Sequence, residues 1–354
     1  MKILVVSNMF PSKKNPSYGT FVKNFCDQLE ELKIDFDISV MKKSKGKVSK
    51  IVSYIFFFLI TFTKCLFQKY DVIYIHYASN SSIPVLWASK FKKMTIYTNV
   101  HGSDVVPQNK RQEKMQKYTR KILSISNKII APSEYFRIYV AEKYDISEKN
   151  IYISYSGGID DSVFYKENLN LPSKTITLGY VSRISKGKGW DVFLKACAQI
   201  KDYEYKIIMV GSGPQKNDLE DLIDTLGLKE KIELYPLLEQ KKLRKIYNQI
   251  DIFVFSTCLR ESLGLVAIEA MACGTPVIAS DFAAPSYYIK DGVNGYKFEM
   301  GNEIDLCNKI IKFIKLNDEG KKVLQEGAIL TASEYKKERV LEQMRYILLE
   351  ENND

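Results

Sequence analysis

Short runs of β-branched and aromatic residues alternate along the chain with stretches in which apolar residues recur at three- and four-residue spacing. In the first half the runs predict strands at 2–7, 34–40, 71–76, 94–99 and 127–131, with helices between them, for example at 20–32 and 112–125. The second half repeats the rhythm, with strands at 175–181, 205–210, 231–235, 252–255 and 276–279. Helices there are expected at 189–199, 215–226, 239–248 and 263–272. Strands that alternate with helices imply parallel, doubly wound sheets with right-handed crossovers, and ligands held outside the carboxyl ends of the strands. Between Gly158 and Lys174 the pattern breaks around Asp160, Asp161 and Pro172, which suggests a boundary. The expected division is a domain over 1–165, a second over 166–335, and a final helix over 336–354 packing back toward the first. The 354 residues suit two domains of about 150 residues each.

Charge changes the picture. Residues 1–165 carry 25 basic and 14 acidic side chains, a net +11, whereas residues 166–354 carry 27 and 28, a net −1. A basic half facing a neutral one points to a polyanionic partner: anionic lipid, nucleic acid or a phosphorylated substrate. The asymmetry sharpens between Ile38 and Tyr70, where there are seven lysines (42, 43, 45, 47, 50, 64 and 69) and no acid. Within it, Ile51 to Thr63 is uncharged and rich in phenylalanine, too short a run to cross a bilayer. It reads either as a core helix behind a solvated loop or as an interfacial helix. On the second reading Lys42, Lys43, Lys45, Lys47, Phe56 and Phe57 touch an anionic membrane. The N-terminal strand has too short an apolar core for a signal peptide. The six cysteines are scattered, with no CxxC pair, and read as reduced thiols of a cytoplasmic protein. With two histidines, His76 and His101, a histidine-based zinc site is not expected. Asp35 and Asp37 have the spacing of a metal-binding pair, but they alternate with Ile34, Phe36 and Ile38 and read as the polar face of a strand.

No Walker loop is present, and the GxG at Gly211 and Gly213 lacks the third glycine of a dinucleotide fingerprint. A stronger anion site is the turn Ser182-Arg183-Ile184-Ser185-Lys186-Gly187-Lys188-Gly189, whose cations stand where a strand feeds a helix. A second element runs from Glu261 to Val277. Its helix is expected to start near Leu263, capped by Ser262, with the amides of Leu263, Gly264 and Leu265 free to meet an anion. Glu269 then falls among small apolar residues. A carboxylate there needs partners, either the hydroxyls of a sugar or ribose, or backbone amides.

Taken in order, these elements resemble the glycosyltransferases of family 4. The matching residues are Arg183, Lys188 and Gly189; Gly211 to Pro214; Glu261 and Glu269 with Glu-Ala-Met-Ala-Cys-Gly-Thr-Pro-Val; and Asp291 to Gly295. The first half adds Tyr18 to Val22, His101-Gly102-Ser103-Asp104, Ala131 to Glu134, and Gly158-Ile159-Asp160 with Phe164. The chain departs from the family pattern at Leu263, where phenylalanine is usual, and at Tyr287, where glutamate is usual.

The resemblance implies a GT-B fold, two Rossmann-like doubly wound parallel-sheet domains facing a cleft, with acceptor bound mainly by the first and nucleotide-sugar by the second. It also implies roles. Arg183 and Lys188 hold the donor diphosphate, Glu269 the ribose hydroxyls and Glu261 the sugar hydroxyls. Gly19, Gly211 and the amides of Leu263, Gly264 and Leu265 approach the donor, and His101 lies near the anomeric carbon. Catalysis is expected to fall to His101, Arg183, Lys188 and Glu261, to retain configuration, and to need no metal cofactor. The expected donor is UDP-hexose and the expected acceptor a polyprenyl-diphosphate-linked saccharide. The place of action is the inner face of the cell membrane, in building a capsule or similar polysaccharide. A sugar-nucleotide epimerase of the same fold is the alternative enzyme. A nucleic-acid-binding protein would explain the basic half, but no recognised binding module accompanies the charge.

Overall fold

The computed structural model describes residues 1–16, 18–167 and 175–349. It divides into two compact units, Met1–Gly157 together with the chain from Val340, and Gly158–Arg339. The boundary thus falls at Gly158 rather than after residue 165, and part of the expected linker, including Pro172, lies outside the described residues. Gly158, at the break, has a φ of +75° that suits glycine, and a Cβ there would come within 2.9 Å of the Lys337 backbone.

The first unit runs β1 (Lys2–Phe10), α1 (Thr20–Glu31), β2 (Asp35–Lys42), α2 (Lys47–Phe67), β3 (Val72–His76), α3 (Ser82–Ala88), β4 (Ile96–Asn99), α4 (Lys110–Ile125), β5 (Lys128–Ala131), α5 (Glu134–Tyr144) and β6 (Ile151–Ile153). All six strands are parallel, in the order β2-β1-β3-β4-β5-β6. Its core lies on both faces of the sheet, which is why β3, β4 and β5 are uninterrupted buried runs. The starts of α4 and α5 are set by side chains: Asn109 accepts from the amides of Arg111 and Gln112, and Ser133 from that of Phe136.

The second unit runs β7 (Ile176–Val181), α6 (Trp190–Ala198), β8 (Tyr205–Val210), α7 (Lys216–Thr225), β9 (Ile232–Tyr235), α8 (Gln240–Tyr247), β10 (Ile252–Phe255), α9 (Leu265–Ala272), β11 (Val277–Ser280), α10 (Pro285–Tyr288), β12 (Gly295–Phe298), α11 (Glu303–Ile314) and α12 (Asp318–Ser333). Its sheet is also parallel, in the order β12-β11-β10-β7-β8-β9. A last helix, α13 (Lys337–Leu349), sends Met344, Ile347 and Leu348 into the first unit's core beside Ile3, Val5 and Tyr74.

In each sheet the first strand has neighbours on both sides that lead away in opposite directions. β1 sits between β2 and β3, and β7 between β10 and β8. These are the topological switch points where loops diverge and leave a crevice at the carboxyl ends.

α2 differs from expectation. It is longer than the apolar run, 21 residues from Lys47 to Phe67, and by length and composition it could cross a membrane. It is packed along one stripe, Phe57, Thr61 and Cys65, each a helical turn apart. Thr61 Oγ1 lies 2.8 Å from Ser39 Oγ of β2. Phe57, expected at the membrane, is 4% exposed and belongs to the core, because it faces the sheet. Phe56, one residue earlier, is 60% exposed. Of the two aspartates of β2, Asp37 pairs with Lys2 at 3.1 Å and accepts from Tyr70 OH at 2.8 Å, and Asp35 is exposed.

Candidate active site

In the second unit the switch point gathers the loops after β7, β8 and β10. The turn after β7 is pinned by Ile184, whose side chain is buried and whose N–H donates to Ser212 O at 3.0 Å. With Ile184 held inward, Arg183 is left exposed at the turn. The turn ends at Gly189, the N-cap of α6, with φ +74°. A Cβ there would lie 1.7 Å from Ser256 O, so only glycine allows the β7 and β10 loops to meet.

That contact brings Lys188 to Glu261. Lys188 Nζ lies 2.6 Å from Glu261 Oε1, and both side chains are mostly buried. The same oxygen accepts from Thr257 Oγ1 at 3.1 Å. The two residues assigned separate parts of a donor therefore share one spot, and a charge-assisted bond holds each in a fixed rotamer. α9 begins close by, but at Leu265, with Gly264 (φ +83°) as N-cap and no side-chain cap. The expected start near Leu263 with Ser262 as cap is thus corrected by two residues. Leu263 itself is buried, and the backbone turns only at Gly264, where positive φ costs nothing. The first-turn amides that open toward an anion begin at Leu265.

Glu269 sits on the second turn of α9. Tyr247 OH donates to its Oε2 at 3.1 Å. Burial pushes the Glu269 carboxyl up to about 7, with the Tyr247 bond pulling the other way. Tyr247 is fully buried, and Thr275 Oγ1 donates to its carbonyl at 2.8 Å. Gly211 follows β8 directly, close against the carbonyl of Ser182.

In the first unit the loops after β1, β3 and β4 converge. His101 Nε2 lies 3.0 Å from Nδ1 of His76, the last residue of β3, and Phe21 packs over His101 with ring centroids 4.1 Å apart. Burial lowers both imidazoles, His101 to about 3, and for His76 the repulsion that two protonated rings would feel acts in the same direction. Both rings are therefore neutral near pH 7, and one facing nitrogen donates to the other. His76 Nε2 is buried with no hydrogen-bond partner among the described residues. The loop carrying His101 is held by Asp104, whose carboxylate accepts from the amides of Ala78, His101 and Gly102 at 2.8–3.3 Å. Burial raises the Asp104 carboxyl, and those amides oppose the shift. Gly19, with φ +79°, caps α1 two residues before Phe21. Sequence reasoning had not assigned roles to His76, Asp104 or Tyr247. Only Asp104 had a signal, as the last residue of the His101 motif. Among the described residues, no group of three or more His, Cys, Asp or Glu side chains is placed to hold a metal ion.

Two family models match in tandem: Glycosyltransferase Family 4 over residues 19–161, and Glycosyl transferases group 1 over residues 161–329. The chain belongs to the group 1, family 4 glycosyltransferases. The loops bearing Gly19 and His101 fall in the first match, and Lys188, Glu261 and Glu269 in the second. A relative from Klebsiella pneumoniae, an uncharacterized 41.2 kDa protein in a cps region, is 27% identical over 70% of this chain and 71% of its own. Among solved structures, sucrose-phosphate synthase from Thermosynechococcus elongatus superposes with a TM-score of 0.79 at 18% identity, over 98% of this chain and 97% of that one. Anabaena HepE, solved with UDP-glucose, gives 0.73 at 19% identity, over 98% and 99%. These structures share the GT-B fold, two Rossmann-like units with parallel sheets, as here.

Proposed function

We propose that this glycosyltransferase moves a hexose from a UDP-sugar, with retention of configuration and without a metal ion, to a saccharide carried on a polyprenyl diphosphate. The proposed setting is the cytoplasmic face of the membrane, in the assembly of a capsule or related polysaccharide. The observation that carries the reading is the Lys188–Glu261 pair, 2.6 Å apart beside the start of α9. On this reading the cation and the helix N-terminus stabilise the charge that a leaving diphosphate gains, and the carboxylate accepts from hydroxyls of the sugar. Such preorganised positive charge does the work a metal does elsewhere. HepE, of like fold, was solved with UDP-glucose, and the Klebsiella relative lies in a cps region; both support the donor and the pathway.

In the proposed step the bond between the anomeric carbon and the diphosphate oxygen breaks, and its electron pair leaves with UDP. The acceptor oxygen bonds to that carbon from the same face, and its proton passes to the departing phosphate oxygen. Glu261 and Glu269 bind hydroxyls and form no covalent intermediate. Neutral His101 offers a hydrogen bond rather than a charge. Purified protein incubated with a panel of UDP-sugars and a lipid-linked acceptor tests this, with the new linkage read by NMR. Transfer should retain configuration and persist in EDTA, and Lys188→Ala should lower turnover by roughly 100-fold. Inversion, loss of activity on chelation, or full activity in Lys188→Ala would each refute the part it addresses.

A further inference from the structure

Within the first unit, the loop after β1, the end of β2, the loop between β2 and α2, and the first half of α2 line an open cavity of about 850 Å³. Five lysines line it, Lys13, Lys14, Lys42, Lys43 and Lys45, and no Asp or Glu does. All five are exposed, and among the described residues none has an acidic partner. Five like charges around one space repel each other, so the cavity favours a compact polyanion. Ser44 and Ser53, 2.7 Å apart, add hydroxyls to the same wall. The wall formed by α2 is largely apolar: Phe57, and then Phe56 and Ile60, which continue onto the exposed side of the helix. A ligand that satisfies both parts has a multiply charged head and an apolar chain.

We infer that this cavity binds the diphosphate of a prenyl-diphosphate-linked acceptor, with the prenyl chain running along the exposed face of α2. The inference rests on the lipid-linked acceptor proposed above and gives that acceptor a place. β2 stands three strand positions from β4, whose following loop carries His101. At about 4.8 Å per strand the separation is roughly 14 Å, which leaves room for a short saccharide between the diphosphate and the reacting hydroxyl.

Farnesyl diphosphate is a soluble probe with the same head, a short chain and no sugar. In vesicle-free buffer, titration calorimetry should show it binding wild-type protein, and more tightly than either farnesol or inorganic pyrophosphate. The variant Lys13→Ser/Lys42→Ser/Lys43→Ser should bind it at least 10-fold more weakly, with UDP affinity unchanged as a check that the fold survives. No binding by wild type, or equal binding by the variant, overturns the inference. So does lysine-dependent binding to phosphatidylglycerol vesicles without farnesyl diphosphate binding, which would make the lysines a general membrane contact. Lysine-dependent farnesyl diphosphate binding with no transfer to any lipid-linked saccharide would instead keep the site and overturn the proposed acceptor.

Discussion

Glu269 is the residue whose environment makes the sharpest claim. A carboxyl held near 7 by burial is half protonated at neutral pH, where an ordinary glutamate is fully charged. Between the ordinary value and 7 the folded state holds a proton that the unfolded chain releases, so unliganded stability falls as pH rises through that window. Ribose hydroxyls donating to the carboxyl would favour its charged form. UDP binding should then release a proton, and affinity should climb from pH 6 to about 7.5. The nucleotide's own terminal phosphate titrates near 6, so the decisive quantity is the difference between wild type and Glu269→Gln. Calorimetry in buffers of differing ionisation enthalpy should show that difference as extra proton release in wild type alone. Identical pH profiles would take Glu269 out of the nucleotide site. Glu261 should separate from it: Glu261→Ala should leave free UDP binding nearly intact and damage transfer. At this scale the motif spacing made the chemical residue types visible in the chain, while their supports were hidden. His76 meets His101 from 25 positions away, and Tyr247 meets Glu269 from 22; no local pattern marks pairs that only the sheet brings together.

Among the elements, strand periodicity made most of both sheets legible, because a run buried on both faces has little else it can be. β6 and β12 escaped notice: β6 is three residues long, and β12, Gly295–Phe298, opens on a glycine and carries Lys297 within it. α2 was legible as apolar but not as two-faced. Its composition is greasy all round, and only packing separates the stripe of Phe57, Thr61 and Cys65 from the exposed Ile51, Ile55, Phe56 and Leu59. Phe58 and Phe62 make edge contacts with Trp87 and Phe91, both exposed, so the apolar surface continues past the helix. A patch of that kind beside a lysine-rich loop suits an anionic bilayer surface. Replacing Ile55, Phe56 and Leu59 with Ser should release the protein from anionic vesicles in co-sedimentation and leave its melting temperature nearly unchanged. Phe57→Ala should do the reverse, costing about 3–5 kcal/mol of stability as a core cavity. Changing Lys42, Lys43, Lys45 and Lys47 to Ser should weaken vesicle binding as high salt does, since exposed charge is screened within about 8 Å at physiological ionic strength. Wild-type protein that stays in the supernatant at low salt would remove the membrane from the account.

Across the whole molecule the chain belongs twice to its first unit, once from Met1 to Gly157 and again from Val340. The return is a packed one. Met344 and Ile347 lie in the same core cluster as Ile3, Val5 and Phe25, and Lys128 Nζ donates to Ile347 O at 2.8 Å. The last helix therefore stabilises a unit that precedes it by almost two hundred residues. Each unit has its own core, so calorimetry should resolve two unfolding transitions. UDP, proposed to bind the second unit, should raise one of them, by roughly 2.7 kcal/mol when present at 100 times its dissociation constant. Ile347→Ala should lower the other, by about 2–5 kcal/mol for the cavity it leaves, and should not alter UDP affinity. If Ile347→Ala instead lowered the transition that UDP raises, the last helix would be stabilising the second unit, and its assignment to the first core would fail.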